Sequence, residues 1–285
     1  MSPISPQIRC REIGVADLDQ IVGLLTEQRD LWARRVRMLR ERTSPAPPGY
    51  PKYGYLLDNN GTTVGALFTL FSDVVINQEK KIRCYVSGWY VAPAFRAYAG
   101  MLVAYALRHK HVTYLNITPT KFVMPLLEAQ GYARFCSGRF TAIPALSLGS
   151  DNARVVPATP EIRVDDGLQT SEVELLLRHT EYGCISLICN ASDGKHPFVF
   201  HPRRKSMMPF ARLVYCRDIE DFVRFAGPLG RYLVRRGFPL VVLDANGPVP
   251  GLIGKYSNDF PKYFKGPDKP RLGDMAYSTR VIFDF

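Results

Sequence analysis

The 285-residue sequence contains no run of 18 apolar residues, so no segment reads as a membrane-spanning helix. Its opening, Met1-Ser2-Pro3-Ile4-Ser5-Pro6, lacks the basic start and apolar run of a secretion signal, and the expected location is the cytoplasm. The cysteines Cys10, Cys84, Cys136, Cys184, Cys189 and Cys216 form no Cys-x-x-Cys pair and have no short spacing to histidine. A zinc site needs clustered ligands, so no metal is expected, and these thiols read as small core residues in a reducing compartment. Acidic residues are missing from one long segment. No Asp or Glu occurs between Lys80 and Leu127, where Lys80, Lys81, Arg83, Arg96, Arg108, Lys110 and Lys121 all fall. Such a segment suits an anionic ligand, because each nearby carboxylate would repel it; a solvated basic face is the other reading.

What is present is an ordinary globular composition, 46% hydrophobic and 22% charged, with a formal charge of +11. Residues 1–150 carry 18 bases against 10 acids, and residues 151–285 carry 19 against 16. The surplus therefore belongs to the first half.

Hydrophobic periodicity places a strand at 8–13 and a helix opening at Asp17, with Leu18, Ile21, Val22 and Leu25 at helical spacing. A second helix follows over 29–42, with six arginines around Trp32, Val36 and Leu39, and is stopped by the prolines of 45–48. Strands at 53–58 and 63–73 flank Asn59-Asn60-Gly61, a hairpin signal. A strand at 83–91, a helix at 98–109, a strand at 112–117, a helix at 122–130 and a strand at 132–140 complete the first half. The order is mixed α/β, with strand–helix–strand alternation implying parallel pairing in the middle. Residues 141–165 read as a linker. Beyond it come a helix at 171–179, strands at 184–189, 198–201 and 212–217, a helix or broken helix pair over 219–236, and a buried strand at 240–244. The tail, 255–271, reads as an ordered loop.

The two halves share an echo. Ala99-Gly100-x-Leu102-x-x-Tyr105 matches Ala226-Gly227-x-Leu229-x-x-Tyr232, each between two strands, which points to a duplicated unit.

The segment that carries chemistry runs Trp89-Tyr90-Val91-Ala92-Pro93-Ala94-Phe95-Arg96-Ala97-Tyr98-Ala99-Gly100-Met101. It is a strand, a sharp loop and a helix that starts with small residues. Unpaired N–H groups at such a start converge beside the positive end of the helix dipole and bind phosphate without a side chain. This stretch resembles the GNAT superfamily of acyl-CoA-dependent N-acyltransferases, whose pyrophosphate loop reads Arg/Gln-x-x-Gly-x-Gly/Ala after a strand ending V-x-P. Val91-Ala92-Pro93 fits; in Arg96 to Met101, Ala99 replaces the first glycine and Met101 the second small residue. Leu126-Leu127-Glu128-Ala129-Gln130-Gly131-Tyr132 is similar to the family's LYEKxGF ending, and Leu115-Asn116-Ile117 occupies the strand that splays to admit pantetheine. The resemblance covers about half of the chain.

It implies a tandem GNAT-like α/β fold: an acyl-CoA-binding domain at 1–145, a linker at 146–165 and a degenerate GNAT-like domain at 166–285 shaping the acceptor site. It also implies transfer of an acyl group from acyl-CoA, acetyl or longer, to an amine of a small-molecule or peptide acceptor by direct attack, with no metal. The coenzyme would lie against Val91, Arg96, Ala97, Tyr98, Ala99, Gly100, Met101 and Asn116, with a polarising N–H near Val91. Two departures bear on mechanism. The family's usual tyrosine acid falls at Leu127, and the strand 83–91 has no carboxylate base. Water, or a tyrosine among Tyr90, Tyr98 and Tyr114, would have to move the proton. Asn116 and Tyr98 are the catalytic candidates, each with a plainer reading as a satisfied strand residue and a packing aromatic. Trp32, Arg35, Trp89 and Asp244 are the substrate-binding candidates: Trp32 and Arg35 on the helix where the family builds its substrate mouth, Trp89 as a tunnel wall or core residue, and Asp244 in Asp244-Ala245-Asn246-Gly247-Pro248, an acceptor-binding turn or an ordinary hairpin turn. His109 and His111 read as charge partners of a helix C-terminus, and Cys84 lacks a base that could activate it.

In the second half, Cys216-Arg217-Asp218-Ile219-Glu220-Asp221 stands where the loop would be, with three carboxylates that would repel a pyrophosphate. The basic run His201-Pro202-Arg203-Arg204-Lys205 could face a coenzyme or an acceptor. Two rival readings stay open. An aminoacyl-tRNA-dependent transferase would use the +11 charge for phosphate contacts. A non-catalytic CoA-binding sensor would explain the missing acid and base.

Overall fold

The computed structural model describes residues 7–25, 29–42, 46–76, 79–147, 153–162, 164, 167–205 and 208–283. The chain divides into two units, the first comprising 1–118, 264–269 and 277–285, the second 119–263 and 270–276.

The first unit opens with β1 (Ile8–Glu12), α1 (Asp17–Leu24) and α2 (Arg29–Arg42). Asp17 is the first residue of α1 rather than its cap. Arg11 grips its carboxylate with Nη1 at 2.7 Å and Nη2 at 2.8 Å, and the Gly14 N–H donates to it at 2.8 Å. On α2, Trp32, Val36 and Leu39 recur at helical spacing and are buried. β2 (Gly54–Asn59) and β3 (Thr62–Ile76) meet at Asn60-Gly61, where φ values of 51° and 87° give the left-handed pair a tight hairpin requires. β4 (Glu79–Val91), α3 (Ala99–Ala106) and β5 (Thr113–Asn116) follow. Strands β1 to β4 pair antiparallel in chain order, and β5 lies parallel to β4.

The second unit contains α4 (Met124–Ala129), β6 (Ala133–Cys136), β7 (Gly138–Ala142), β8 (Arg154–Pro157), α5 (Thr170–Glu181), β9 (Ile185–Ala191), β10 (Gly194–Lys205), β11 (Met208–Tyr215), α6 (Ile219–Arg224), α7 (Ala226–Val234), β12 (Leu240–Ala245) and β13 (Gly254–Ser257). Its seven-stranded sheet has the order β13-β7-β12-β11-β10-β9-β8. Phe140, Phe198, Phe200, Phe222, Phe225, Leu229 and Leu243 fill the core that the sheet shares with α6 and α7. The chain then passes through β14 (Lys262–Lys265) and ends in α8 (Thr279–Ile282), which belongs to the first unit.

Three local expectations change. The strand expected at 132–140 is two strands, and β7 pairs with β12 and β13 because Phe140 and Ala142 bury in the second core. The segment 141–165 contributes the edge strand β8, and the tail supplies β13 and β14 rather than a loop. The helix break falls at Phe225, not Pro228, since Pro228 sits in the first turn of α7 where its missing N–H costs no helical bond. The sequence echo has a counterpart: α3 joins the parallel pair β4 and β5, and α7 joins the parallel pair β11 and β12.

Candidate functional site

β4 holds two neighbours unequally. Along β3 it pairs from Glu79 to Val91, whereas its ladder with β5 stops after Arg83–Thr113, Cys84–Tyr114 and Tyr85–Leu115. Residues 86–91 therefore run on with one strand edge unpaired toward β5. Alternate backbone N–H and C=O groups there are available to an extended ligand.

A bulge sits on this free stretch. Phe68 faces Ser87 and Ala66 faces Tyr90, so Gly88 and Trp89 together oppose Leu67. Gly88 adopts φ 61°, and a Cβ there would stand 2.6 Å from both Phe68 Cδ2 and Trp32 Cη2. Only glycine fits. A bulge re-aims the residues beyond it, here Trp89, Tyr90 and Val91. The Trp89 indole Nε1 is buried with no hydrogen-bond partner among the described residues.

After Val91 the Ala92 N–H returns to Val64 O at 2.9 Å, and Pro93 starts a 3₁₀ turn (Pro93–Tyr98) that runs straight into α3. The turn uses some of the amides that the sequence suggested for an anion: the Phe95 N–H goes to Ala92 O at 2.8 Å, and the Ala99 N–H to Arg96 O. Arg96, Ala97 and Gly100 are exposed, and Tyr98 and Ala99 half-buried. A Cβ on Gly100 would meet nothing within 4 Å. Met101 is 39% exposed, Val91 is buried, and Asn116 is half-buried at the end of β5. Trp89 and Val91 thus lie on the last part of β4, Arg96 to Met101 follow in the turn and the start of α3, and Asn116 ends β5.

The remaining substrate candidates are engaged in packing or ion pairing. Trp32 is a core residue, stacked on Phe68 at 5.6 Å and edge-on to Phe283 at 6.3 Å. Arg35 lies over the Trp32 ring, 4.8 Å from its centroid, and burial lowers its pKa. Asp244, expected at an acceptor-binding turn, is buried in the second unit and ion-paired to Lys262, itself 1% exposed. The Lys262 ammonium also lies 3.8 Å from Cys136 Sγ. Two buried charges need each other, so Asp244 is a structural residue.

His109 is not a charge partner of a helix end. His109 packs on Tyr50 at 5.0 Å and on Phe71, and burial, Arg108 and His111 all lower its pKa, which leaves it neutral. His111 Nε2 lies 2.6 Å from Tyr50 Oη. Burial pushes the Cys84 thiol well up, so it is no nucleophile. Tyr114 is raised likewise by burial, and its hydroxyl accepts the His109 N–H at 3.2 Å. Among the described residues no group of three or more His, Cys, Asp or Glu side chains could hold a metal ion.

In the second unit, β11 leads into α6 through Asp218. Burial raises the Asp218 pKa, and Asp221 and Glu220 raise it further. Arg217 is committed to Glu172 through two bonds of 2.7 Å. The basic run from His201 lies on β10, where His201 pairs with Arg212 and Arg203 with Phe210.

Two features were missed. The bulge had a signal, Gly88 inside an apolar strand pattern. The C-terminal helix α8, which packs on β4 and α2, had none.

No protein-family model matches the chain, and no curated protein does. Solved structures do. A GCN5-related N-acetyltransferase from Anabaena variabilis matches with a TM-score of 0.57 and 10% identity, over 90% of this chain and 72% of that one. One from Kribbella flavida matches with a TM-score of 0.52 and 11% identity, over 91% and 71%. A candidate acetyltransferase from Pyrococcus horikoshii matches with a TM-score of 0.53 and 11% identity, over 97% and 96%. At such identities the likeness is one of fold: the chain has the GNAT fold, mixed α/β, in two similar halves. Among the described residues no helix is long and apolar enough to cross a membrane.

Proposed function

We propose that the chain is an acyl-CoA-dependent N-acyltransferase whose first unit holds the coenzyme. The observation that carries this reading is the divergence of β4 from β5 after three paired residues, with a cationic loop and α3 directly beyond. The residues present fit the coenzyme. The free edge of 86–91 suits the two amides of pantetheine, the buried Trp89 N–H awaits an acceptor, and the space at Gly100 lets a phosphate approach the backbone. Arg96 supplies the cation, and Val91, Ala97, Tyr98, Ala99, Met101 and Asn116 line the approach. Because the 3₁₀ turn consumes part of the amide set, Arg96 carries more of the phosphate interaction than the backbone does.

The reaction is direct attack of an amine on the thioester, favoured because no activated nucleophile is evident among the described residues. As the C–N bond forms and the C–S bond breaks, the amine loses a proton to solvent and the thiolate receives one. Tyr98 at the loop, or a water it holds, is the donor, since the Tyr114 hydroxyl is buried behind His109. Asn116 orients the acyl or pantetheine amide. Positioning and amide polarisation near Val91 supply most of the acceleration.

The arginines of α2 disfavour the tRNA-dependent alternative. Arg35 lies on Trp32, Arg40 pairs with Asp19 at 3.0 Å, and Arg42 donates to Val281 O at 2.8 Å, so half of the six serve the fold. The test is CoA release from acetyl-CoA against a panel of amines, beside filter binding of tRNA in low and moderate salt. Amine-dependent thiol release supports the transferase. Salt-sensitive tRNA retention with no release of CoA would sink it.

A further inference from the structure

We propose that residues 271–275 are a built-in plug of the second unit, seated in the strand split that corresponds to the coenzyme site of the first. Only the consequence that one coenzyme binds per chain rests on the acyltransferase reading; the plug itself does not.

The second unit repeats the strand divergence of the first. β11 lies parallel to β12 for three pairs, Phe210–Leu240, Ala211–Val241 and Arg212–Val242, and then leaves it. On its other side β11 stays with β10, where Leu213 faces Phe200 and Tyr215 faces Val199. Along 86–91 of β4 the edge toward β5 is unpaired. Along β11 the equivalent edge is filled by residues 270–276, which belong to the same unit. The Met275 N–H donates to Val214 O at 2.8 Å, and the Cys216 N–H donates to Gly273 O at 2.9 Å. Between these bonds Asp274 bridges Tyr215 in antiparallel register. A strand has two edges, and β10 holds one, so these bonds fall on the edge that β12 gives up.

The correspondence extends to charge, with the signs reversed. In the first unit the loop after the diverging strand carries Arg96 and no acid. In the second, Asp218, Glu220 and Asp221 follow β11, and the plug brings the cation. Arg271 Nη1 donates to Cys216 O, and its guanidinium lies 5.2 Å from the Tyr215 ring centroid. Arg271 also opposes the upward shift that burial imposes on the Asp218 carboxyl. A loop that repels a pyrophosphate attracts a guanidinium. At the other end of the plug Met275 and Ala276 are buried. Gly273 permits the close approach between them: its φ is 79°, and a Cβ there would stand 2.6 Å from Cys216 Sγ. The arrangement is strand addition within one chain, in which main-chain bonds give the hold and Arg271 fixes the direction. A coenzyme arm enters this edge only by displacing them.

The test is native-state hydrogen exchange on the full chain, with Gly273→Val and Arg271→Ala as the plug-releasing variants. In the wild type the Met275 and Cys216 amides should exchange about a hundredfold more slowly than in an unstructured chain. Each variant should speed both amides about tenfold or more and leave those of β12 unchanged. A synthetic peptide of residues 268–277 is then titrated calorimetrically. It should bind Gly273→Val at least about tenfold more tightly than the wild type, whose own plug competes at an effective concentration in the millimolar range. The same peptide with Arg271→Ala should bind roughly tenfold more weakly. Far-ultraviolet circular dichroism checks folding, and Arg271→Ala decides the matter if Gly273→Val does not fold. A wild-type Met275 amide exchanging at the unstructured rate would overturn the proposal, as would a peptide that binds wild type and variants alike or not at all. Two molecules of acetyl-CoA bound per wild-type chain would overturn it too. One is the expected stoichiometry; none counts against the transferase reading alone, since exchange and peptide binding need no coenzyme.

Discussion

Gly88 and Trp32 approach so closely that a β-carbon on Gly88 would stand 2.6 Å from the indole Cη2. Helix α2 and the bulge of β4 are thereby locked to each other. Gly88→Ala must relieve that clash and also hold a left-handed φ of 61°. We expect it to cost about 2–4 kcal/mol in a urea titration and to weaken acetyl-CoA binding, because the bulge aims Trp89 to Val91. Gly100→Ala is the contrast: its φ is not left-handed and its surroundings are open, so a change under about 0.5 kcal/mol is expected. Equal costs at the two glycines would contradict this.

The ion pair of Asp244 and Lys262 makes a second prediction. Lys262→Met leaves a buried carboxylate without its partner and should cost about 3–5 kcal/mol, whereas Asp244→Leu combined with Lys262→Met should recover most of that loss. Acyl transfer by the double variant should persist. A large activity loss at full stability would return Asp244 to the site.

The fold was largely legible in the sequence, and the reasons are visible in particular residues. Asn60-Gly61 has the two left-handed positions its spacing announced, and the echo at Ala99 and Ala226 marks equivalent helices between parallel strands. What escaped reading was long-range. Nothing local in Phe140 says that its strand joins the second sheet, and nothing in Arg280 says that it returns to the residue after β5, 163 positions earlier in the chain. Trp32 misled for a related reason. A tryptophan among arginines looks like a binding surface until Phe68 and Phe283 are seen to enclose it.

Stability should depend on pH through His179. Burial lowers its pKa to about 4, against an ordinary value of 6.5, and its Nδ1 bonds Leu175 O at 2.8 Å. The unfolded chain binds this proton between pH 6.5 and 4 while the native chain does not. Stability is therefore complete above pH 6.5 and falls as pH drops, by at most about 1.4 kcal/mol per unit. Glu172 adds to the loss at lower pH: despite its burial, Arg217 and the Gln169 N–H keep its pKa below the ordinary value. Thermal melts between pH 7.5 and 4 should show the decline, with a shallower slope in His179→Leu. An unchanged slope would contradict the assignment.

Thiol reactivity offers a simple check of burial. Cys10 is partly exposed, whereas Cys84, Cys136, Cys184, Cys189 and Cys216 are buried. Burial pushes the Cys189 thiol up to about 12. A disulfide reagent should modify no more than one thiol rapidly in the native protein and all six in denaturant.

The most direct measurement is calorimetric titration of acetyl-CoA and CoA into the wild-type chain, Arg96→Ala and Gly100→Glu. We expect a micromolar Kd, about 8 kcal/mol of binding free energy, weakened tenfold or more by the loss of the cation at 96 or by a carboxylate at 100. A folded wild-type protein that gives no heat with either ligand, or variants that bind as it does, would contradict the coenzyme site between β4 and β5.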